Sequence, residues 1–569
     1  MQAAILRTPP RRRLSGWTLP AVIGLVLLVL VLLPIGFMFV GAVLSGGLID
    51  PATHLTFAKL RDVYTTLPYA RTVLSTLSVS VLVAALATTA GVVLAWLTAR
   101  TDLPAKAFME GCVIAPLFLS PFVGALAWLI LGSPKAGMLN VLVTELTGLR
   151  GPFIDVATPA GIVLIMALYF VPYAYLTVSA SLRNMDPSME EASYLNGAGV
   201  VSTALRITFP VVRPSLISAF FFIFVLAAGT FAIPAVLDRS SQLRFLAVDV
   251  FQASATYPID YGQAAAIGTV LFWISVMGIA CYRFASRAAQ RFVTVTARGY
   301  RMRILRLRGW RGPAAALVLC YLVLAIVLPY LALLYAAFTR YTAASVLNAR
   351  FTLANVSAVG ASREVIASIR NTLEVGLISP TLCVALGVFL AYAVRRLRLR
   401  FAAVVDYVAM FPIAVPGIVL GTGIFWTYIL TPVYGTIWVL VLAFITSYLP
   451  FAYRIGDTAL LQIDRSLEEA SALCGASQWR TASRITMRLI RPALLSAWIM
   501  VFVFSVREIS AAILLTSSGN VVLSVLSWNY LDYGDIQKAA VVGLLQTVIL
   551  LAGVMAGRGL FRVQLARTV

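Results

Sequence analysis

Few residues in this 569-residue chain have the types and spacing that catalysis or metal binding requires. Only four lysines are present and none follows a glycine, so the phosphate-binding motif G-x-x-x-x-G-K-[ST] is absent. The single histidine, His54, has no cluster to join, and no cysteine shows ligand spacing, which argues against a metal site or a disulfide framework. We therefore expect a chain that is not an enzyme, has no catalytic residues and binds no metal or cofactor. The five cysteines are Cys112, Cys281, Cys320, Cys383 and Cys474.

The polar residues that do recur at a fixed spacing lie in a duplicated segment. The run D-P-S-M-E-E-A-S-Y-L-N-G-A at Asp186–Ala198 returns as D-R-S-L-E-E-A-S-A-L-C-G-A at Asp464–Ala476, 278 residues later. Extended through Pro214 and Pro492, the two copies are identical at 16 of 29 positions, which is far more than composition alone would give. A duplication of this length predicts two homologous halves.

Each copy predicts a short helix, a glycine corner and a second short helix. In the first copy, Ser188 and Glu191 have the spacing of a capping box, in which a hydroxyl and a carboxylate satisfy the free amides at a helix start. Gly197 follows where a left-handed residue would stop the helix. A second amphipathic turn follows and is predicted to end near Pro210. In the second copy the corresponding residues are Ser466, Glu469 and Gly475.

The elements around these segments are predicted to cross a membrane. Hydrophobic residues make up 61% of the chain and charged residues 12%, whereas soluble globular proteins have about 45–50% and about 25%. Apolar runs recur that are long enough to cross a hydrocarbon layer about 30 Å thick. We predict an all-α polytopic protein with twelve spans, at 21–44, 72–99, 111–132, 159–181, 215–237, 264–284, 313–338, 371–394, 404–430, 434–453, 493–515 and 539–557.

The net charge of +22 follows this topology. Nine arginines and no acidic residue fall in 283–311, and other basic stretches follow the even-numbered spans. With the amino terminus in the cytoplasm, all of these stretches become cytoplasmic, as the positive-inside rule requires. The basic residues therefore indicate a lipid bilayer as the partner rather than nucleic acid, and we expect both termini in the cytoplasm.

The duplication and the spans together predict two permease-like halves with the same orientation, a known transporter plan. The first half covers 1–285, with spans 1–6 and the repeated loop at 186–214. A basic cytoplasmic linker covers 286–311. The second half covers 312–569, with spans 7–12 and the repeated loop at 464–492.

One charged pair stands where the eleventh span is predicted. Arg507 and Glu508 occupy positions whose repeat equivalents are Gly229 and Thr230. Two interpretations are open: a polar lining of the transport pathway or its gate, or a structural pair with partners on neighbouring helices. Adjacent helical residues point in different directions, so the two side chains need not bond each other.

The duplicated segments resemble the loop signature of permease subunits in bacterial ABC importers. The resemblance implies a fused pair of type I permease domains whose loops dock on two copies of a separate ATP-binding subunit, where ATP would be bound. Arg488 stands where the signature and the first copy have proline, which leaves open whether the two docking contacts are equivalent. The residues that carry the resemblance are Glu191, Ala192, Ser193, Gly197, Ile207 and Pro210 in the first copy, and Glu469, Ala470, Ser471, Gly475 and Ile485 in the second.

Within that superfamily the chain is similar to the fused permeases of ferric iron importers, through R-G-Y-R-M-R at 298–303, Y-P-I-D-Y-G at 257–262 and V-R-E-I-S at 506–510. The similarity implies a bacterial inner-membrane protein that passes ferric iron delivered by a periplasmic binding protein. Permeases for thiamine, polyamines, phosphonates or sugar phosphates share the architecture and stay open as alternatives. An ion-coupled secondary transporter or a membrane enzyme is less favoured, because the spans carry few carboxylates and no acid–base constellation.

Overall fold

The computed structural model describes residues 18–46, 53–149, 151–186, 188–238, 243–291, 305–341, 346, 349–397, 399 and 401–561. Its named elements are all helical, and the only β-type pairings among these residues are isolated bridges. The helices used below are α1 (Thr18–Ala42), α2 (Leu67–Arg100), α3 (Lys106–Phe118), α4 (Pro121–Gly132), α5 (Pro159–Asn184), α6 (Ser188–Leu195), α7 (Ala204–Ala228), α8 (Tyr261–Ser286), α9 (Arg311–Phe338), α10 (Arg363–Arg396), α11 (Ala402–Ala414), α12 (Gly417–Tyr428), α13 (Ile437–Leu461), α14 (Arg465–Leu473), α15 (Gln478–Arg507) and α16 (Ile536–Gly557).

Ten of these helices are long and apolar enough to cross a membrane. Two further pairs of shorter helices are long and apolar enough when each pair is taken as one span, but each pair is bent. The pair α3–α4 bends by 96° and the pair α11–α12 by 112°. Both bends fall at prolines, between Pro116 and Pro121 in the first half and between Pro412 and Pro416 in the second. Proline removes a backbone donor and interrupts the helix at these points. The third and ninth predicted spans are therefore broken helices rather than straight ones.

Each bent pair counts as one crossing. In the second half, Cys383 Sγ lies 3.8 Å from Ile445 O, and further along the same two helices Arg395 Nη2 lies 2.8 Å from Asp457 Oδ2. The residue numbers of the contacting residues increase together along both helices, which shows that α10 and α13 run parallel. Parallel neighbours must be joined by a segment that returns across the membrane, so the chain between them crosses once. The prediction of twelve crossings fits this arrangement.

The two halves repeat one architecture down to single contacts. Gly91 on α2 faces Ala174 on α5 so closely that an added Cβ would lie 2.5 Å from the Ala174 Cβ, and Gly387 meets the Tyr453 backbone nitrogen at 2.7 Å in the same way. These glycines let the second and fourth helices of each half touch backbone to backbone. The sequence also has a weaker repeat at a spacing of 296 residues, which pairs Gly91 with Gly387. The close approach of the helices explains why this repeat persists in the lipid spans.

Two predicted spans are displaced along the chain. The helix predicted at 215–237 is α7, which ends at Ala228, and the helix predicted at 493–515 is α15, which ends at Arg507. Both begin earlier than predicted, and the apolar residues after each break form short separate helices, Ala232–Leu237 and Ala512–Leu515. Hydropathy does not detect a break between two apolar stretches, so the boundaries were wrong in the same direction in both halves.

The linker lies partly outside the described residues. Residues 292–304, which include R-G-Y-R-M-R at 298–303, are not described, and the division of the chain at 285 and 312 stays a prediction. The end of the linker is described from Leu305 onward. There Leu305 N donates to Arg100 O at 2.9 Å and Leu307 N donates to Asp102 Oδ1 at 2.8 Å. The segment 305–311, which we call the strap, thus joins the start of the second half to the end of α2.

Candidate functional site

After its fourth span, each half carries two short helical segments joined at a glycine corner, which we call an elbow. Residues 188–208 form the first elbow and residues 466–486 form the second. The corner glycines Gly197 and Gly475 have φ angles of +80° and +77°. The amide after the corner closes back on the helix, from Ala198 N to Ser193 O at 3.1 Å in the first elbow. This is the Schellman arrangement, and it confirms the predicted glycine stop.

The predicted capping boxes are wrong. Asp186 Oδ1 accepts from Ser188 N–H at 2.9 Å, and Asp464 Oδ1 accepts from Ser466 N–H at 2.9 Å. The aspartate two residues before each serine therefore satisfies the helix start, and a carboxylate at that end also suits the helix dipole. These hydrogen bonds hold the pKa of the Asp186 and Asp464 carboxyls below the ordinary value.

The second helical segment of the first elbow, which we call its second arm, does not end near Pro210, contrary to the prediction. In the first half a π turn at Ala204–Thr208 joins the arm directly to α7, and Phe209 N donates to Ala204 O across it. The second half has the same π turn at Ala482–Thr486. Arg488 follows there without any change in the path of the helix, so the proline is not what shapes the elbow.

A buried glutamate next to the predicted one attaches the first elbow to the bundle. Glu190 is 5% exposed; its Oε1 accepts from Thr208 Oγ1 at 2.6 Å, and its Oε2 lies 3.5 Å from Arg100 Nη1. These three residues come from the elbow helix α6, the start of α7 and the end of α2. The first elbow is thus linked through one carboxylate to two membrane helices.

The second half repeats this network at the equivalent positions. Glu468 Oε1 accepts from Thr486 Oγ1 at 2.9 Å and lies 3.2 Å from Arg396 Nε. Sequence reasoning named Glu191 and Glu469 and missed these neighbours. A signal was available, since the glutamate and threonine match at 278 residues and the arginine pair matches at 296.

The other residues of the loop signature brace the elbow or face outward. Ser193 Oγ and Thr203 Oγ1 lie 2.9 Å apart across the first corner, and Ser471 Oγ and Thr481 Oγ1 lie 2.8 Å apart across the second. Glu191 is half-buried and, among the described residues, makes no hydrogen bond or ion pair. The remaining signature residues divide into the exposed Ala192, Pro210, Glu469, Ala470 and Arg488 and the half-buried Ile207 and Ile485.

Large apolar side chains stand out at the tips of both elbows. Leu195 is 86% exposed, its repeat equivalent Leu473 is 90% exposed, and Trp479 on the second arm is 81% exposed. Leu195 and Leu473 lie outside the helices that are long enough to cross a membrane, and Trp479 lies in the first turn of α15. Apolar groups exposed on a polar end of a protein mark a surface for a protein partner.

Arg507 and Glu508 lie at the break after α15 and do not bond each other. Arg507 donates from Nη1 to Leu117 O at 2.5 Å and to Leu119 O at 3.1 Å, and from Nη2 to Tyr173 Oη at 3.2 Å. Carbonyls freed at the α3–α4 bend in the first half thus find a cationic partner from the second half. A broken helix at membrane depth requires such satisfaction.

Glu508 has its own partners within the second half. Its Oε2 accepts from Tyr448 Oη at 2.6 Å, and its Oε1 accepts from Ala511 N at 3.2 Å. In the first half the equivalent of Arg507 is Gly229, where an added Cβ would lie 2.8 Å from the Pro416 Cβ at the α11–α12 bend. Each bend is therefore packed against the end of the fifth span of the opposite half, with a charge at one contact and bare backbone at the other.

Part of the second half is similar in sequence to a known protein family. Residues 383–568 match the family model described as "Binding-protein-dependent transport system inner membrane component". That part of the chain is similar to this family of membrane transport components. The first half repeats its elbow, its bend and its glycine contact, so the two halves share one architecture.

Similar proteins carry related descriptions. The ferric transport system permease protein FbpB of Actinobacillus pleuropneumoniae is 27% identical over 394 residues, 69% of this chain and 57% of that protein. The Fe(3+)-transport system permease protein FbpB 2 of Haemophilus influenzae is 24% identical over 82% of this chain and 84% of that protein. The match thus spans little more than half the length of the first relative. A solved bacterial ABC transporter for the import of the acidic polysaccharide alginate has a TM-score of 0.38 at 16% identity, over 49% of this chain and 97% of that chain.

Proposed function

We propose that this chain is the transmembrane permease of an ATP-driven importer and that its two elbows dock on two copies of a separate ATP-binding subunit. The observation that carries the proposal is the duplicated elbow with an exposed apolar tip and a buried carboxylate linked to α2 and α7. A partner that binds the tip can move the carboxylate, and with it two membrane helices. Docking can only drive transport if the partner binds the two permease states with different affinity.

The proposed gate lies at the contact between the two halves. Arg507 joins the second half to the α3–α4 bend of the first, and Glu508 holds the stop of α15. Relative movement of the halves must break or remake the Arg507 contacts. We therefore propose Arg507 and Glu508 as gate residues rather than as ligands of the cargo.

The proposed cargo is ferric iron, supplied by a periplasmic binding protein. Two relatives described as ferric or Fe(3+) transport permeases support this cargo. Among the described residues, no group of three histidine, cysteine, aspartate or glutamate side chains is placed to hold a metal ion. The permease would then pass the ion with low affinity, and the binding protein would supply selectivity from the outer side. With the binding protein on the outer side of a bacterial inner membrane, both elbows and both termini would face the cytoplasm.

The test removes both outward glutamates of the elbows. We expect Glu191→Ala with Glu469→Ala to abolish copurification of the ATP-binding subunit and ATP-dependent uptake of radiolabelled ferric iron into sealed vesicles, with normal membrane insertion. Uptake equal to that of the parent would refute the docking assignment. Uptake of labelled thiamine or a polyamine instead of iron by the parent would refute the cargo and leave docking intact.

A matched control uses a carboxylate at the opposite end of the bundle. Glu364 lies in the first turn of α10 and is exposed. Glu364→Ala removes one surface charge of the same kind, and we expect unchanged copurification. Loss of the ATP-binding subunit in this variant as well would indicate general destabilisation rather than a docking surface.

A further inference from the structure

The two elbows have the same residues in their buried network but different hydrogen bonding around the arginine. In the second half, Arg396 Nη2 donates to Leu460 O at 3.1 Å and to Ile463 O at 2.9 Å, which fastens the guanidinium to the end of α13. The equivalent carbonyls of the first half, at Leu182 and Met185, receive no bond from Arg100 in the structure. The guanidinium of Arg396 is therefore hydrogen-bonded through Nη2, with Nε as its one buried nitrogen without a hydrogen bond, whereas no nitrogen of the Arg100 guanidinium is hydrogen-bonded.

Arg100 is a buried cation without hydrogen bonds. It is 1% exposed, and its Nε, Nη1 and Nη2 atoms all lack a hydrogen-bond partner, with Glu190 Oε2 at 3.5 Å as the nearest counter-charge. A buried guanidinium normally has its donors satisfied, and leaving them open carries a free-energy penalty. Movement of the first elbow away from α2 would relieve this penalty by letting the Arg100 guanidinium reach water or the carbonyls of Leu182 and Met185.

The second elbow has further attachments that the first elbow lacks. Arg465 in α14 donates from Nη2 to Arg395 O at 3.0 Å, and Arg395 forms an ion pair with the buried Asp457 on α13. The repeat equivalents of Asp457 and Arg395 are Ser179 and Ala99, so the first half cannot form this pair. These contacts hold the end of α10 and the start of α14 against α13.

The strap fixes the opposite side of the first network. Leu305 N donates to Arg100 O, and Asp102 N donates to Leu305 O at 3.0 Å, so the end of α2 is bonded to the start of the second half. Arg311 in turn donates to Asp102. With the end of α2 held from outside, any movement that relieves Arg100 must fall on the elbow.

We propose that the two elbows are mechanically unequal: the second is anchored to α13, and the first is the one that moves relative to the bundle. The role of the elbows as docking sites rests on the proposed function, but the inequality is a property of this chain alone. Two identical ATP-binding subunits would then meet one firm and one yielding contact. Closure of the subunit pair would be transmitted first through Glu190 to α2 and α7.

Hydrogen exchange on the purified permease in lipid nanodiscs, without any ATP-binding subunit, tests the inequality directly. We expect the amides of residues 189–196 to exchange about tenfold faster than those of residues 467–474, because opening of the first elbow costs less free energy. Equal rates, or slower exchange in the first elbow, would overturn the proposal. Failure of docking in the vesicle experiment leaves this measurement unaffected, so the two proposals fail separately.

A variant of the anchor provides the second arm of the test. Asp457→Asn removes the charge that holds Arg395, and we expect exchange in residues 467–474 to rise toward the rate of the first elbow while residues 189–196 are unchanged. Asp249→Asn is the matched control: Asp249 is also a buried aspartate, but it lies in the first half, where its Oδ2 accepts from Thr72 Oγ1 at 3.3 Å. A rise in both variants, or in neither, would contradict the anchoring role of Asp457.

Discussion

At the scale of single residues, neighbouring glutamates have different tasks. Glu191 and Glu469 face outward and are available to a partner, whereas Glu190 and Glu468 turn inward and bond a threonine and an arginine of the membrane helices. A helix places adjacent side chains about 100° apart, so one carboxylate of each pair can face the partner while the other faces the bundle. In the proposed mechanism, docking and transmission are thus carried by consecutive residues.

Glu508 permits a prediction at the same scale. In Glu508→Gln the amide oxygen can accept from Tyr448 Oη, but the amide NH2 group then replaces the oxygen that accepts from Ala511 N, so this second hydrogen bond is lost. A hydrogen bond to a charged acceptor contributes about 1.5–3 kcal/mol, against about 1 kcal/mol for a neutral one. We expect iron uptake in vesicles to fall about fivefold, with a small fall in the thermal midpoint and unchanged copurification of the ATP-binding subunit.

The comparison variant for this measurement is Glu374→Gln. The side chain of Glu374 on α10 is 42% exposed and, within the described residues, forms an ion pair with Arg370, one turn away on the same helix, at 3.3 Å. Its uptake should equal that of the parent. Normal uptake by Glu508→Gln would exclude a gate role for Glu508.

At the scale of elements, the corner glycine decides where each elbow turns. Gly197 and Gly475 adopt positive φ angles in open space, since an added Cβ would meet no atom within 4 Å. Glycine is therefore needed for its positive φ angle and not because neighbouring atoms would crowd a side chain. An L-residue in this conformation costs about 1–2 kcal/mol, and the helix before the corner pays that cost by fraying.

Gly197→Ala is accordingly predicted to loosen α6 and reduce permease-stimulated ATP hydrolysis by the bound subunit, on the order of fivefold, with little change in the thermal midpoint of the bundle. Gly199→Ala is the matched control. Gly199 also has open space around an added Cβ but lacks a positive φ angle, so we expect ATP hydrolysis at the parental rate. Equal loss in both variants would show that the corner conformation is not the cause.

At the scale of the whole molecule, the two halves are joined by the strap and by contacts between their bends and spans. The strap at 305–311 bonds to the end of α2, and Arg507 of the second half binds carbonyls at the bend of the first. Arg507 has no charged equivalent in the first half, where Gly229 stands at its position. Fusion therefore allows the halves to differ in mechanics while their folds stay alike.

The strap predicts a pH dependence. Arg311 donates to the Asp102 carboxylate and holds the pKa of that carboxyl below its ordinary value. A lowered pKa in the folded state means that the stabilising contact is complete above the unfolded pKa of about 3.9 and is lost as pH falls through the folded value. Asp102→Asn should therefore lower the thermal midpoint by the same amount at pH 6 and pH 8.

Thermal unfolding of parent and Asp102→Asn across this range provides the measurement. The difference between the two curves should shrink only in acid, below about pH 4, where the parental carboxylate becomes protonated. A difference that changes between pH 6 and pH 8 would show that another titrating group supports the strap.

The amino-acid sequence by itself determined the membrane class, the number of crossings, the duplication and the positions of the elbows. These follow from apolar runs, from arginine placement and from glycine at two corners, all of which act locally along the chain. The prolines at 116, 121, 412 and 416 were visible as well, but the angle at each bend was not. Local pattern identifies where a helix is interrupted and leaves the direction of the next helix to packing.

Only the tertiary structure decided that Glu190 rather than Glu191 faces the bundle, that Arg507 crosses to the bend of the other half, and that Arg100 is buried without hydrogen bonds. Each of these depends on residues from 18 to 390 positions apart in the chain. Such contacts are set by how helices pack around a shared core, and helical periodicity gives no information on which distant side chains will meet. The inequality of the two elbows is of this kind, because it arises from partners outside the repeated segment.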